Sequence, residues 1–464
     1  MKKNKKDRII YISSIIIIVL PILLFQVCFL KLYIGIPLSV LTLYLAYRCI
    51  TNYTYVSYKA QKKYWLIAAI VIFFWLFFSG IGGFSYQNSI DFHVRNAMLR
   101  DLVNYNWPVI YKNNGLVYYL PYFLPSALIG KITNYTFANV FLFLYSYICL
   151  LCTLYLINRH AKKDSYYKLL FLILFSGLDV LDSLPKLLSI NHLEWWNLPF
   201  QYSSNTTALY WVFNQTIPIW LIIAILLNID DGRDIIFLSS ISFFYSPYST
   251  ISIIPIALYL SLKKIKRKRT VFLSLQTLYA CFIAIILGLY YMSGTGTEIS
   301  GFVFNVYKEY SKPISLIIKY IFFIIIEVVI FIIPTWKHFK HDKLYLIVVF
   351  ELLLIPLYVI SENNDFCMRS SLPCLFILML YFCKYIEQIE KKRNKKYLFL
   401  YILLALSFVN PLHEISRSIA ITLTTDNYIA DDIVSIGEPQ EYKNLCAKQF
   451  YGNLNSIYFK YLSK

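Results

Sequence analysis

The sequence predicts an all-α, polytopic membrane protein, and three observations carry that expectation. Hydrophobic residues make up 58% of the 464 positions, and the mean hydropathy is +0.57. Apolar runs of crossing length recur along the chain, beginning with IIYISSIIIIVLPILLF at 9–25. A helix needs about 20 such residues to cross the hydrocarbon core. Finally, the basic residues cluster between the apolar runs, with 44 Lys plus Arg against 25 Asp plus Glu and a net charge of +19. That is the pattern of positive-inside loops. It argues against nucleic acid as a partner, which would call for one continuous basic face.

The elements follow from these rules in chain order. The cationic start, Lys2 to Arg8, resembles a signal peptide, but no small-residue cleavage site closes it. It therefore reads as an uncleaved first span with a cytoplasmic N-terminus. Spans are expected near 9–30, 33–48 and 64–82, with Arg48, Lys59, Lys62 and Lys63 between the second and third. The third then exits on the outer face. The strongest basic runs, at 263–269, 335–343 and 391–396, are expected to be cytoplasmic. Apolar pairs between them, 271–291 with 313–334 and 344–360 with 371–384, leave their connecting loops outside. A last span near 397–410 places the tail 411–464 outside. The two counts meet only if 137–157 crosses and 116–131, which contains Pro121 and Pro125, is broken or re-entrant.

The expected total is about thirteen spans in one membrane domain, 1–410, followed by an external tail, 411–464. External loops carrying amphipathic helices are expected at about 83–136, 182–211, 292–312 and 361–370. No internal repeat is visible. The nine cysteines fall mostly within apolar runs, and Cys149 and Cys152 have no companion pair. Neither zinc nor redox chemistry is expected from them.

Chemistry-capable residues gather in the outer loops. In SIDFHVRNAMLRDLVNYNWPVIY, 89–111, a helix over 91–103 would put Phe92, Arg95, Met98, Leu99 and Leu102 near one side. His93, Asn96 and Arg100 would form a polar strip beside them, on a helix lying along the membrane surface. Asp91, at its start, is either a helix cap or a general base. Arg95 and Arg100 could meet lipid or substrate phosphates. In NHLEWWNLPFQYSSNTT, His192 and Glu194 adjoin Trp195 and Trp196, with Gln201 following. Aromatic rings beside fixed polar groups suit a carbohydrate, although an interfacial aromatic belt has the same composition. In ENNDFCMRSSLP, Asp365 and Arg369 stand four apart, as a helix-capping pair or as a phosphate-binding arginine held by its aspartate. Glu327 and Glu351 should face protein or a cavity rather than lipid. Asp179 and Asp182 could join the outer carboxylates, and Asn214 and Gln215 could line a cavity.

DFH after a membrane span, the long loop with its amphipathic helix, and LVYYLPYFLPSALIGK together resemble the GT-C superfamily of integral-membrane glycosyltransferases. Asp91 matches the acidic position of that superfamily's first large outer loop. Tyr118 to Gly130 resembles the proline-tyrosine segment that follows it. Here the acidic loop follows a third span rather than a first, and Asp91 is followed by His93 rather than a second acid. The resemblance implies a polyprenyl-phosphate-linked sugar as donor and a glycan or lipid-linked acceptor. Asp91 would be the base, with His93 and Glu194 nearby, and Arg369 or another outer cation would hold the lipid phosphate. The motifs demand no cofactor, though a divalent metal ion is compatible with them. A Wzy-like polysaccharide polymerase is the second expectation. The third is a non-enzymatic transporter, which calls for inverted repeats and charges at mid-membrane. All three place the chain in the cell membrane.

Overall fold

The computed structural model describes residues 5–180, 192–265, 273–296, 299–308, 312–361, 364–390, 398–431, 433–437 and 447–464. Asp182 and the basic runs at 266–269 and 391–396 lie outside the described residues.

Helices dominate. α1 (Lys5–Phe29) and α2 (Leu32–Thr51) form a hairpin, followed by α3 (Lys62–Phe77). α4 (Ser89–Asn104), β1 (Asn114–Leu116) and α5 (Leu124–Ile132) lead to α6 (Tyr135–His160). The 116–131 segment is broken at its prolines: Pro121 opens a 3-10 turn and Pro125 stands in the first turn of α5. At nine residues, α5 is about 13 Å long, under half a bilayer core. After α7 (Tyr166–Leu174) come α8 (Asn205–Leu226), α9 (Gly232–Tyr245), α10 (Pro247–Lys263) and α11 (Leu275–Met292). β2 (Ser300–Phe302) precedes α12 (Pro313–Phe339), which contains a π turn at Ile325–Val329. α13 (Lys343–Leu354), β3 (Tyr358–Ile360), α14 (Asp365–Ser370), α15 (Leu372–Glu390), α16 (Leu398–Ser407), α17 (Val409–Thr424) and β4 (Tyr451–Asn453) complete the chain.

Local chemistry explains many of these starts. Asn134, Ser204, Ser246, Ser274 and Asp342 each accept a hydrogen bond from a backbone N–H in the turn they cap. Each cap satisfies one of the donors a helix start leaves without an internal partner. Pro247 and Pro313 open α10 and α12, where a missing N–H costs nothing.

Seven of these helices, α1, α2, α6, α8, α11, α12 and α15, are long and apolar enough to cross a membrane. The expected total of about thirteen is not reached by that measure. α3, α7, α9, α10, α13 and α16 run only nine to 17 residues.

α8 forms the centre. Every residue of it but Trp211 is buried, and it packs against α6, α9, α15, α7 and α17. Trp220 at its middle is fully buried, stacked between Trp75 and Phe376 at 6.3 and 5.8 Å.

Two short ladders bring distant loops together. β2 pairs antiparallel with β3, Gly301 opposite Val359. β1 pairs with β4, Gly115 opposite Gly452. The C-terminal residues thus return to the bundle, and Lys31 N–H donates to the Leu462 carbonyl at 2.8 Å.

The tail lies over α4. Of residues 91–102, only Asp91, His93 and Arg100 escape full burial. Residues 430–431 and 433–436 cover the polar strip: Asn96 donates to the Ala430 carbonyl at 2.8 Å, and Arg100 to the Ile433 carbonyl at 3.0 Å. The strip meets backbone oxygens of the tail rather than water.

Candidate functional site

A cavity of about 510 Å³ opens at one end of the bundle. The chain delivers side chains to it from eight regions: Asp91 from α4, Tyr118 and Tyr119 after β1, His192, Trp195 and Gln201 from the loop before α8, Thr207 and Trp211 from α8, Tyr248 from α10, Tyr291 from α11, Asp365 with Arg369 from α14, and Gln449 with Phe450 from the tail.

α14 is pinned by Asn364. This residue takes a left-handed conformation (φ 52°), accepts from Cys367 N–H and donates to the Pro199 carbonyl at 2.9 Å. Asn tolerates that conformation better than most residues. The bond to Pro199 ties Arg369 to the loop that carries Trp195 and Gln201. Arg369 reaches Asp365 at 3.2 Å, its side chain is 12% exposed, and its Nε is buried without a partner among the described residues. Burial opposes its charge, but Asp365 outweighs that and the guanidinium pKa is raised. It is a fixed cation with an unfilled donor.

Asp91 lies in the first turn of α4, three residues after the N-cap Asn88. Its carboxylate, 45% exposed, is 3.8 Å from Arg95. Arg95 itself is buried, with its guanidinium 5.6 and 5.4 Å from the Phe92 and Phe213 ring centres. It backs Asp91 from below and does not line the cavity. Burial lowers the pKa of His93, also outside the lining, and favours its neutral form.

His192 has the most elaborate support. Its Nδ1 is 3.2 Å from a Glu414 oxygen, and its ring packs on Trp211 and Trp195 at 4.6 and 5.3 Å. Glu414 also accepts from Trp211 Nε1 at 3.0 Å and Arg417 at 2.9 Å. Burial alone would raise the Glu414 pKa, but the His192 bond, Arg417 and Trp211 pull it down to about 2. His192 Nε2 faces Glu194 at 4.0 Å.

Glu194 stands one layer behind the cavity. It is fully buried and accepts from Ser204 N–H and Asn410, each at 2.9 Å. Asn410 also donates to Asp179 at 2.5 Å, and the Glu327 carboxylate fills the space over Gly177. Burial raises the pKa of both Asp179 and Glu194. The described residues hold no group of three His, Cys, Asp or Glu that could bind a metal ion.

The structure therefore brings Asp91, Trp195, Gln201, Asp365 and Arg369 onto one cavity, with Glu194 behind. The other sequence candidates are engaged elsewhere. Arg100 pairs with Asp431, Trp196 packs on Phe322 and Phe323, and Gln215 accepts from Ser246 at 2.9 Å inside the bundle. Sequence reasoning noticed His192 only as a neighbour of Glu194. It missed Glu414, whose place beside His192, 222 positions away, has no local signal. Tyr118, Tyr119, Tyr248 and Tyr291, which wall the cavity, are inconspicuous among 42 tyrosines.

No protein-family model, curated protein or solved structure matches this chain.

Proposed function

We propose that the protein is a membrane glycosyltransferase that uses a polyprenyl-phosphate-linked sugar, and that the reaction takes place in this cavity. The observation that carries the reading is the convergence of Asp91 and the half-free Arg369 on one aromatic-walled space. The acceptor hydroxyl oxygen bonds to the anomeric carbon as the bond from that carbon to the phosphate oxygen breaks. The electron pair stays on the phosphate, held by the Arg369 fork, and the hydroxyl proton passes to Asp91. Trp195, Trp211 and the tyrosines offer flat faces to the sugar ring, and Gln201 offers an amide to its hydroxyls. A polymerase acting on lipid diphosphates calls for several cations. Among the described residues Arg369 is the only arginine or lysine lining the cavity.

The second reading is a proton-coupled transporter. The buried set Asp179, Glu194 and Glu327 favours it, since ionisable groups within a membrane bundle are costly and commonly belong to proton paths.

One assay separates the two. The purified full-length protein in nanodiscs is given a panel of synthetic polyprenyl-phosphate sugars, and release of polyprenyl phosphate is measured. Asp91→Asn should slow release by roughly 10²–10⁴-fold, the usual contribution of a positioned base. Arg369→Lys keeps the charge but loses the fork, and should cost about tenfold or more. Undiminished release with Arg369→Ala at equal protein level would remove Arg369 from the site. Absence of release with every donor, alongside proton-driven uptake lost in Glu327→Gln, would favour the transporter.

A further inference from the structure

A second pocket, of about 420 Å³, lies at the opposite end of the bundle. The ends of α6, α8, α10 and α15 and the start of α13 enclose it. Thr207 lines the outer cavity and Leu227 lines this pocket, both on or at the end of α8. Twenty residues separate them, at most about 30 Å at 1.5 Å per residue and less by the kink at Val212 (φ −135°, ψ 40°), a span of the order of a bilayer core. The pocket is therefore one membrane away from the cavity, on the face that carries the basic loops.

Its lining divides into two halves. Leu227, Leu260, Leu344, Ile377 and Leu380 supply an apolar floor, while Lys168, Lys263, Lys264 and Lys384 supply ammonium groups at the mouth. Two carboxylates of the lining, Asp342 and Glu387, stand among these four lysines, and Asp164 and Asp230 act on Lys168 and Lys264 from outside it. Asp342 is occupied as the cap of α13, accepting from Leu344 N–H at 3.0 Å. Glu387 lies 3.8 Å from Lys168, and Lys264 donates to the Ile229 carbonyl. Lys263 and Lys384 have no carboxylate within ion-pair reach among the described residues. Each sits over an aromatic ring, Tyr259 at 5.5 Å and Phe339 at 5.4 Å. Burial pulls the ammonium pKa of both Lys168 and Lys264 down, against the opposing pull of Glu387 on the first and Asp230 on the second.

We propose that this pocket binds a phosphate-bearing membrane lipid, its headgroup held by Lys263 and Lys384 above Lys168 and an acyl chain laid along Leu260, Leu344 and Ile377. An anionic headgroup supplies charge opposite the lysines, and the leucine and isoleucine floor gives an acyl chain an apolar bed beside the polar His160 and Tyr381. Basic pockets between helices on the positively charged face are suited to anionic headgroups. The inference does not depend on whether the outer cavity transfers sugar.

The test uses the full-length protein in neutral detergent, titrated separately with phosphatidylglycerol, phosphatidylcholine and inorganic phosphate and read by native mass spectrometry. Phosphatidylglycerol should be retained in preference to phosphatidylcholine, although both carry phosphate, because only the former brings net negative charge. Lys263→Gln with Lys384→Gln should weaken it by roughly thirtyfold. Both side chains are exposed at their tips, so the pair is compatible with folding. Lys337→Gln with Lys340→Gln, exposed on the same face but outside the pocket, should leave binding unchanged. Equal retention of the two lipids, equal losses in the two double variants, or saturation by inorganic phosphate alone would each overturn the proposal.

Discussion

At the scale of single residues, His192 is held by contacts that reach it from three places in the chain: Glu414 on α17, Trp195 three positions on, and Trp211 on α8. Glu414 is the hub, bonded at once to His192, Trp211 and Arg417 while only 2% exposed. Its folded pKa, about 2, lies below the ordinary glutamate value, so its contribution to stability is full above about pH 4.5. That contribution is lost as the pH falls through about 2. Glu414→Gln keeps the shape but leaves Arg417 buried without its counter-ion. At pH 7 it should cost about 3–5 kcal/mol, the usual effect of breaking a buried pair. Unfolding midpoints of the two proteins in detergent should then converge between about pH 4.5 and 2. A gap that stays constant down to pH 2.5 would show that Glu414 carries no such charge-dependent role. Arg369 and Asp365 were legible in the sequence because a pair four apart is a local signal. Glu414 was not, since nothing in HEISRS points to a histidine 222 positions earlier.

At the scale of elements, hydropathy revealed many of the long helices, because period and length are written into each run, but α9 and α10 were not among the expected spans. It did not reveal what lies across them. β1 and β4 are three residues each, NGL and YGN, too short for any alternation to show. Their pairing rests on space: a Cβ at Gly115 or Gly452 would come within 2.1 or 2.5 Å of the Phe459 ring. The two glycines form a slot for that ring, and the clasp holds Gln449 and Phe450 against the cavity. Gly452→Val should expel the ring, release the last residues from β1 and open that wall. Limited proteolysis should then cut within 447–464, which is protected in the parent protein. Gly288→Ala is the matched control, because a Cβ there meets open space. It should be neutral or stabilising by up to about 1 kcal/mol through helix propensity. Protection of the tail in Gly452→Val would mean that the ladder contributes little to holding it. The same limit explains α4: Asn96 and Arg100 look like a solvent-facing strip until Ala430 and Ile433 are seen to lie on them.

At the scale of the whole molecule, the two pockets turn the charge pattern into a statement about sidedness. The tail touches the aromatic cavity through Gln449 and Phe450, whereas Asp342, two positions after Lys340, lines the basic pocket. α8 and α10 run from one to the other, α10 with Pro247 at the cavity and Lys263 at the basic end. If the bundle sits across a membrane with its basic loops inside, Asn453 and Lys340 must face opposite compartments. Both are exposed, so cysteine substitution at either should not disturb packing. In a background with the nine native cysteines replaced, Asn453→Cys should react with an impermeant maleimide on intact cells. Lys340→Cys should react only after the membrane is opened. Reversed labelling would invert the protein and put the cavity on the cytoplasmic face, out of reach of an outer-face acceptor. Labelling of both from the same side would mean that α8 does not cross the bilayer between Thr207 and Leu227, and the sugar-transfer and lipid-site readings would both lose their frame.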